Sequence, residues 1–367
     1  MESKGKIEYF ALLRGIAILM IIFTHIHQVF QLPLILSMIP RFGQMGCQVF
    51  FLISGFFAYK SLTPIIENGN TLGKDSILKY YQKRLKRIAP GYWLTILLSI
   101  LLAIISIHLT GSNDTGISTK TSDIAINVLL LNGLAPTMAN NHVVRGGWFV
   151  GTLVIFYVLT PLLFYFYQKL NKITLIIPAI TFVLSAAFLI GLSFIDKKFT
   201  CWNNSFYYFS FVNQLPCFLL GFSLCDLYLK DKIDTISHPV TKGILLATIS
   251  IVLFYIGYWR YNNIVYAIVP FIWTLSVFYL SCVLIKMEIN TNSQINKTII
   301  KFGEIDFAIM LIHPFIVFDL FKVLLYYSNW SHTVLFFICI PVGYTMIYFV
   351  SALYKTIIDK FTALIFK

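Results

Sequence analysis

Charge is scarce in this chain. Of its 367 residues only 12% are Asp, Glu, Lys or Arg, and only 15 are acidic, whereas ordinary soluble domains carry about 25% charged residues. With 58% hydrophobic residues, that shortage excludes disorder, a fibrous repeat and an ordinary cytosolic enzyme. Cysteine chemistry is also thin. Cys47, Cys201, Cys217, Cys225, Cys282 and Cys339 form no CxxC pair, and no His/Cys cluster has zinc spacing, so neither a metal site nor a disulfide framework is expected. All but Cys201 lie in apolar runs and read as small buried hydrophobes. No internal repeat is visible, which argues against an inverted-repeat transporter. A cleavable signal peptide is missing too, because the first apolar run contains Arg14, lacks a small-residue cleavage site and is followed by many more spans.

What remains is apolar and aromatic, with 34 Phe and 21 Tyr. About 20 mostly apolar residues cross a bilayer. By that rule the chain reads as an all-α, polytopic transmembrane helical bundle of about ten spans, at 9–30, 44–62, 88–109, 148–168, 173–195, 206–228, 243–259, 263–286, 303–325 and 333–355. The segment 124–134 is too short to cross, so it lies at the interface or re-enters. The aromatic runs Phe164 to Tyr167, Tyr207 to Phe211 and Phe254 to Tyr258 are expected at lipid-facing or interfacial positions.

The net charge of +13 raises the question of nucleic acid, and the distribution of charge answers it. With the N-terminus in the cytoplasm, twenty of the 28 Lys and Arg fall in cytoplasmic segments and seven outside, with Arg14 inside a span. This satisfies the positive-inside rule. Both termini are then cytoplasmic, and the charge calls for a lipid bilayer rather than nucleic acid as partner.

Ionisable groups within spans are costly and usually have a task. Arg14 and His25 stand eleven residues apart, close to three helical turns, so they share one face about 16 Å apart along the axis. In the ninth span Asp306 and His313 are seven residues apart and also share a face, with Glu304 beside Asp306 near the cytoplasmic edge and Pro314 loosening the helix. Lys83, Arg84 and Arg87 approach the third span from the cytoplasm. They read either as topology signal and anionic-lipid contacts or as a site for a phosphorylated ligand. Gly43, Gly46, Ser54 and Gly55 allow close helix approach, and Gln48 needs a polar partner. Bland readings stand beside the sharper ones: Arg14 snorkelling to phosphate, His25 and His313 satisfied by neighbouring helices, Asp306 or Glu304 as a helix-dipole charge.

In this order the segments resemble the acyltransferase-3 family of integral-membrane O-acyltransferases. The likeness runs over nearly the whole chain: Arg14-x10-His25, GCQVFFLISGFF (46–57), KRLKRIAPGYW (83–93), GGWFVGTLVIFYVLTPLL (146–163), NQLPCFLLG (213–221) and FGEIDFAIMLIHPFIV (302–317). The resemblance implies a single membrane-embedded domain over 1–367, in a bacterial cytoplasmic membrane. The appended extracytoplasmic domain of some relatives is expected to be absent. It implies an acyl-CoA donor, commonly acetyl-CoA, used as substrate with no bound cofactor, and a hydroxyl acceptor on an envelope carbohydrate such as O-antigen, exopolysaccharide or peptidoglycan. The sequence departs from the pattern at Leu153, where many relatives have Glu, and at Gln48, a place that is often Asp.

Acyl transfer from a thioester needs a held donor, a base and a stabilised oxyanion. The expected assignments are His25 as base or acyl carrier, Arg14 on the inner part of the donor, and Lys83, Arg84 and Arg87 on its phosphates. Gln48, Ser54, Trp148, Asp306 and His313 support them. A polytopic exporter of a polysaccharide or small anion is the competing reading, and a non-catalytic scaffold for envelope assembly is a third.

Overall fold

The computed structural model describes residues 4–67, 73–134, 143–170, 175–195, 206–260, 264–287, 290 and 293–366. Among these residues every regular element is helical: α1 (Lys4–Val29), α2 (Leu34–Phe42), α3 (Gly46–Glu67), α4 (Lys74–Thr110), α5 (Thr121–Val128), α6 (Gly147–Lys169), α7 (Ile176–Ile195), α8 (Phe206–Phe209), α9 (Phe211–Leu229), α10 (Pro239–Arg260), α11 (Ile264–Leu284), α12 (Gln294–Glu304), α13 (Asp306–Phe315), α14 (Phe321–Tyr327) and α15 (His332–Ile365). Nine runs among the described residues are long and apolar enough to cross a bilayer. The other expected span, 173–195, corresponds to α7, whose apolar stretch Ile176–Leu192 is shorter. The all-α polytopic bundle is therefore as expected.

Two boundaries differ instructively from the hydropathy reading. The basic segment before the third span is not a loop; it is the first half of α4, a helix of 37 residues and about 55 Å. The apolar start at 206 is broken at Ser210, whose hydroxyl accepts from the Val212 N–H and caps α9. The short segment after the third span folds back as expected. The Trp93 indole donates to the Val128 carbonyl, and the Tyr92 hydroxyl donates to Asn127 Oδ1 at 2.6 Å. Tyr92 lies about 27 Å along α4 from its Thr110 end, so 121–134 re-enters the bundle.

Packing relies on small residues where spans cross. A Cβ on Gly55 would overlap the Phe218 carbonyl, and one on Gly303 the Ala11 carbonyl. The first brings α3 against α9; the second seats the α12–α13 junction on α1. Without a hydrophobic drive between helices in lipid, such close approach and buried hydrogen bonds hold the bundle. The Tyr9 hydroxyl donates to Ser281 Oγ at 2.7 Å, joining α1 to α11. The Tyr59 hydroxyl donates to Asp226 Oδ1 at 2.6 Å, joining α3 to α9.

The aromatic runs correct one expectation. Tyr165 and Phe166 do face outward, but Phe164, Tyr167, Tyr208 and Phe254 are buried. A helix turns 100° per residue, so a continuous aromatic run must divide between lipid and core. The buried members have partners; the Tyr167 hydroxyl, for example, donates to Ser223. The five described cysteines are free, four of them buried; Cys201 lies outside the described residues.

Candidate active site

The shared face of α1 meets the shared face of α13. Arg14 approaches Asp306 at 3.9 Å, and its Nε donates to the Phe10 carbonyl at 3.2 Å. Farther along the same helix, the His25 and His313 rings stand edge to face with centroids 5.0 Å apart. The two periodicities read from sequence, eleven residues on one helix and seven on the other, thus produce two cross-helix pairs along a single seam.

The local chain explains the geometry of the second pair. His313 Nδ1 lies 2.8 Å from the Ile309 carbonyl. A carbonyl only accepts, so this contact places the proton on Nδ1 and leaves the lone pair on Nε2. His313 Nε2 and His25 Nδ1 are both buried without a hydrogen-bond partner. Buried polar atoms left this way are uncommon and ask for an explanation; here two imidazoles adjoin, each with one ring nitrogen uncommitted. Pro314 has no N–H to give to the preceding turn, and residues Ile316–Leu320 open into a π-helical turn, a distortion found often at functional sites. The turn places Phe318 against His25, with centroids 5.3 Å apart.

At the Arg14 end, a cavity is lined by Ser54 of α3, Arg87 of α4, Leu153 and Tyr157 of α6, and Asp306 of α13. Asp306 opens α13, and its Oδ1 accepts from the Phe307 N–H at 2.7 Å. This is a favourable place for a carboxylate at a helix N-terminus. Arg87 also acts electrostatically on Asp306, so two guanidiniums face one carboxylate and positive charge remains in excess. Glu304 is exposed at the end of α12, which leaves Asp306 as the carboxylate at this wall. Leu153 lies on the same cavity as Asp306.

The remaining expected residues divide. Lys83 and Arg87, one turn apart on α4, are both exposed. Arg84, only about 60° round the helix from Arg87, is buried: Nη2 donates to the Phe57 carbonyl at 3.0 Å and to Ser61 Oγ at 3.1 Å, and the guanidinium lies over the Tyr80 and Tyr157 rings. It braces α3, α4 and α6 and stands apart from the two cations expected to act with it. Gln48 is fully buried, donating to Gln214 Oε1 at 3.0 Å and accepting from the Tyr208 hydroxyl. Trp148 packs among Phe51, Tyr208 and Phe209. Both support helix packing and do not line the Ser54–Arg87–Asp306 cavity.

One pair escaped the sequence reading. Arg145, just before α6, binds Asp319 in the π turn, with Nη1 2.5 Å from Oδ2. Asp319 is an acid well inside the ninth apolar span, thirteen residues beyond Asp306, and an ionisable group at that place was the available signal. No group of three or more His, Cys, Asp or Glu among the described residues is arranged to hold a metal ion.

A family model described as an acyltransferase domain matches residues 7–353, nearly the whole chain. Multi-pass helical architecture and this match together define a membrane acyltransferase, and the chain belongs to the acyltransferase-3 family. No curated protein and no solved structure matches it.

Proposed function

We propose that the protein moves an acyl group, acetyl in the simplest case, from a coenzyme A thioester to a hydroxyl of an envelope carbohydrate at a bacterial cytoplasmic membrane. The observation that carries this reading is the His25–His313 pair. The buried His313 and the half-buried His25, each with a buried ring nitrogen lacking a hydrogen-bond partner, lie on the same helix seam as the Arg14–Asp306 pair and the cavity lined by Arg87 and Asp306. Histidine is suited to proton transfer near neutral pH, and guanidiniums suit phosphate and developing oxyanions.

In this scheme Lys83 and Arg87 meet the donor's phosphates at the basic end, with both chain termini on that cytoplasmic side. Arg14 contacts the donor farther in. His25 takes the proton of the acceptor hydroxyl as its oxygen attacks the thioester carbon. When the tetrahedral intermediate collapses, the carbon–sulfur bond breaks, and the departing thiolate receives the proton from the His25 imidazolium. His313, with Nδ1 tied to Ile309, sits beside His25 and steadies its ring. Asp306 holds Arg14 in place. Arg84 contributes by fixing the turn of α4 that carries Lys83 and Arg87.

The test is thiol release from acetyl-CoA by purified protein, followed with a thiol reagent, alongside mass spectrometry of envelope glycans with and without the gene. His25→Ala is expected to retain fold and membrane insertion and to lose transfer by about 10²-fold or more, the scale of a general base. Full turnover in folded His25→Ala protein refutes the mechanism. Vectorial glycan flux without thiol release replaces the enzyme with an exporter.

A further inference from the structure

Arg145 ties together three segments far apart in the chain. Its Nη1 pairs with Asp319 at 2.5 Å, its Nη2 donates to the Thr115 carbonyl, and its guanidinium lies 5.9 Å from the Phe318 ring centre. The side chains of Arg145 and Asp319 are only 15% and 24% exposed. Phe318 and Asp319 are neighbours in the π turn, and the Phe318 ring meets His25 edge to face. Gly146, next to Arg145, has φ +76° at the N-terminus of α6, a left-handed conformation that glycine adopts without strain. This turn sets the direction in which Arg145 leaves the helix.

We infer that Arg145 and Asp319 are positioning residues for His25, acting through Phe318. A π turn carries one residue more than an α turn, so its side chains leave the helix in directions an unbroken α-helix would not give. The ion pair on Asp319 anchors that turn, and with it the place of the adjacent Phe318 on the His25 ring. The guanidinium over Phe318 holds the same ring from its other neighbour. The link therefore runs from the segment around Thr115, through Arg145, to the imidazole at the reacting centre. Neither Arg145 nor Asp319 need touch the substrate.

This inference rests on the proposed acyl transfer for its kinetic part, and the experiment separates the two. In purified full-length protein, Arg145→Ala, Asp319→Ala and Phe318→Leu are each expected to lower kcat by up to about 10²-fold, the cost of a misplacement near 1 Å. The donor KM should stay within about twofold, since uniform binding is untouched. The conservative Arg145→Lys variant, which keeps a cation for Asp319, should retain more of kcat than Arg145→Ala. Arg145→Ala combined with Phe318→Leu should be little worse than either alone. Independently of turnover, His25 modification by diethyl pyrocarbonate, read by peptide mass spectrometry, should speed up several-fold in folded Arg145→Ala. Unchanged His25 labelling, or multiplicative losses in the Arg145/Phe318 double variant, overturns the inference. Absence of thiol release in wild-type protein with altered labelling in Arg145→Ala refutes the acyl-transfer reading and leaves the positioning link standing.

Discussion

Removing Asp306 should cost the bundle more than removing Asp306 and the charge of Arg14 together. The pair is separated by 3.9 Å with side chains 20% and 12% exposed. At an effective dielectric of about 20, two unit charges at that distance attract by about 4 kcal/mol. Most of that is offset by the desolvation both ions suffer, so the pair as a whole stabilises little. Deleting one partner is different, because it strands a poorly solvated charge, at a cost of about 3–5 kcal/mol. Asp306→Ala is hit harder still, since Asp306 is the carboxylate on which both Arg14 and Arg87 act. The expected order of thermal stability in detergent is therefore wild type, then Arg14→Leu/Asp306→Ala, then Asp306→Ala. The Leu in the double variant refills the space at α1. Tryptophan fluorescence against temperature gives the order, and the thiol-release assay on the same samples reports function. Activity should be lost in both variants, because only stability is recovered by matching the charges. A double variant that is as unstable as the summed single losses refutes the pairing argument.

Two further outcomes follow from the geometry. Lys83→Ala with Arg87→Ala should weaken acetyl-CoA binding, measured by isothermal titration in detergent, and the loss should shrink as salt rises because exposed charges are screened; unchanged affinity assigns the two residues to topology. Tyr59→Phe removes the hydroxyl that donates to Asp226 and accepts from Gln168 Nε2; it should destabilise by about 1.5–3 kcal/mol, the range for a hydrogen bond to a charged group, with normal activity per folded molecule.

Much of this architecture was legible because lipid leaves few alternatives. A backbone in hydrocarbon must satisfy its own hydrogen bonds, so apolar runs of the right length become helices. The Arg14/His25 and Asp306/His313 spacings were also readable, since side chains near whole turns apart share a face. What periodicity could not supply was which faces meet. Glu304 and Asp306 are equivalent by composition, yet a break at Ile305 sends Glu304 outward and Asp306 into the seam. Arg84 and Arg87 look interchangeable in a basic run. They lie only about 60° apart around the helix, and that difference is enough to put the Arg84 guanidinium between helices while Arg87 reaches the cavity. The Arg145–Asp319 pair spans 174 residues of sequence, and no local pattern announces a contact of that separation. The π turn was equally hidden, although Pro314 marked its neighbourhood.

The buried Arg84 has a consequence for the donor docking proposed at the basic rim. Held by a carbonyl, a hydroxyl and two tyrosine rings, it clamps α4 against rolling about its own axis. Lys83 and Arg87 are consequently displayed at a preset pitch, and an incoming polyanion meets a template rather than two wandering charges. In the proposed scheme, such a rim discriminates by the spacing of phosphates along the donor, so a molecule of equal charge but different span gains less from the encounter.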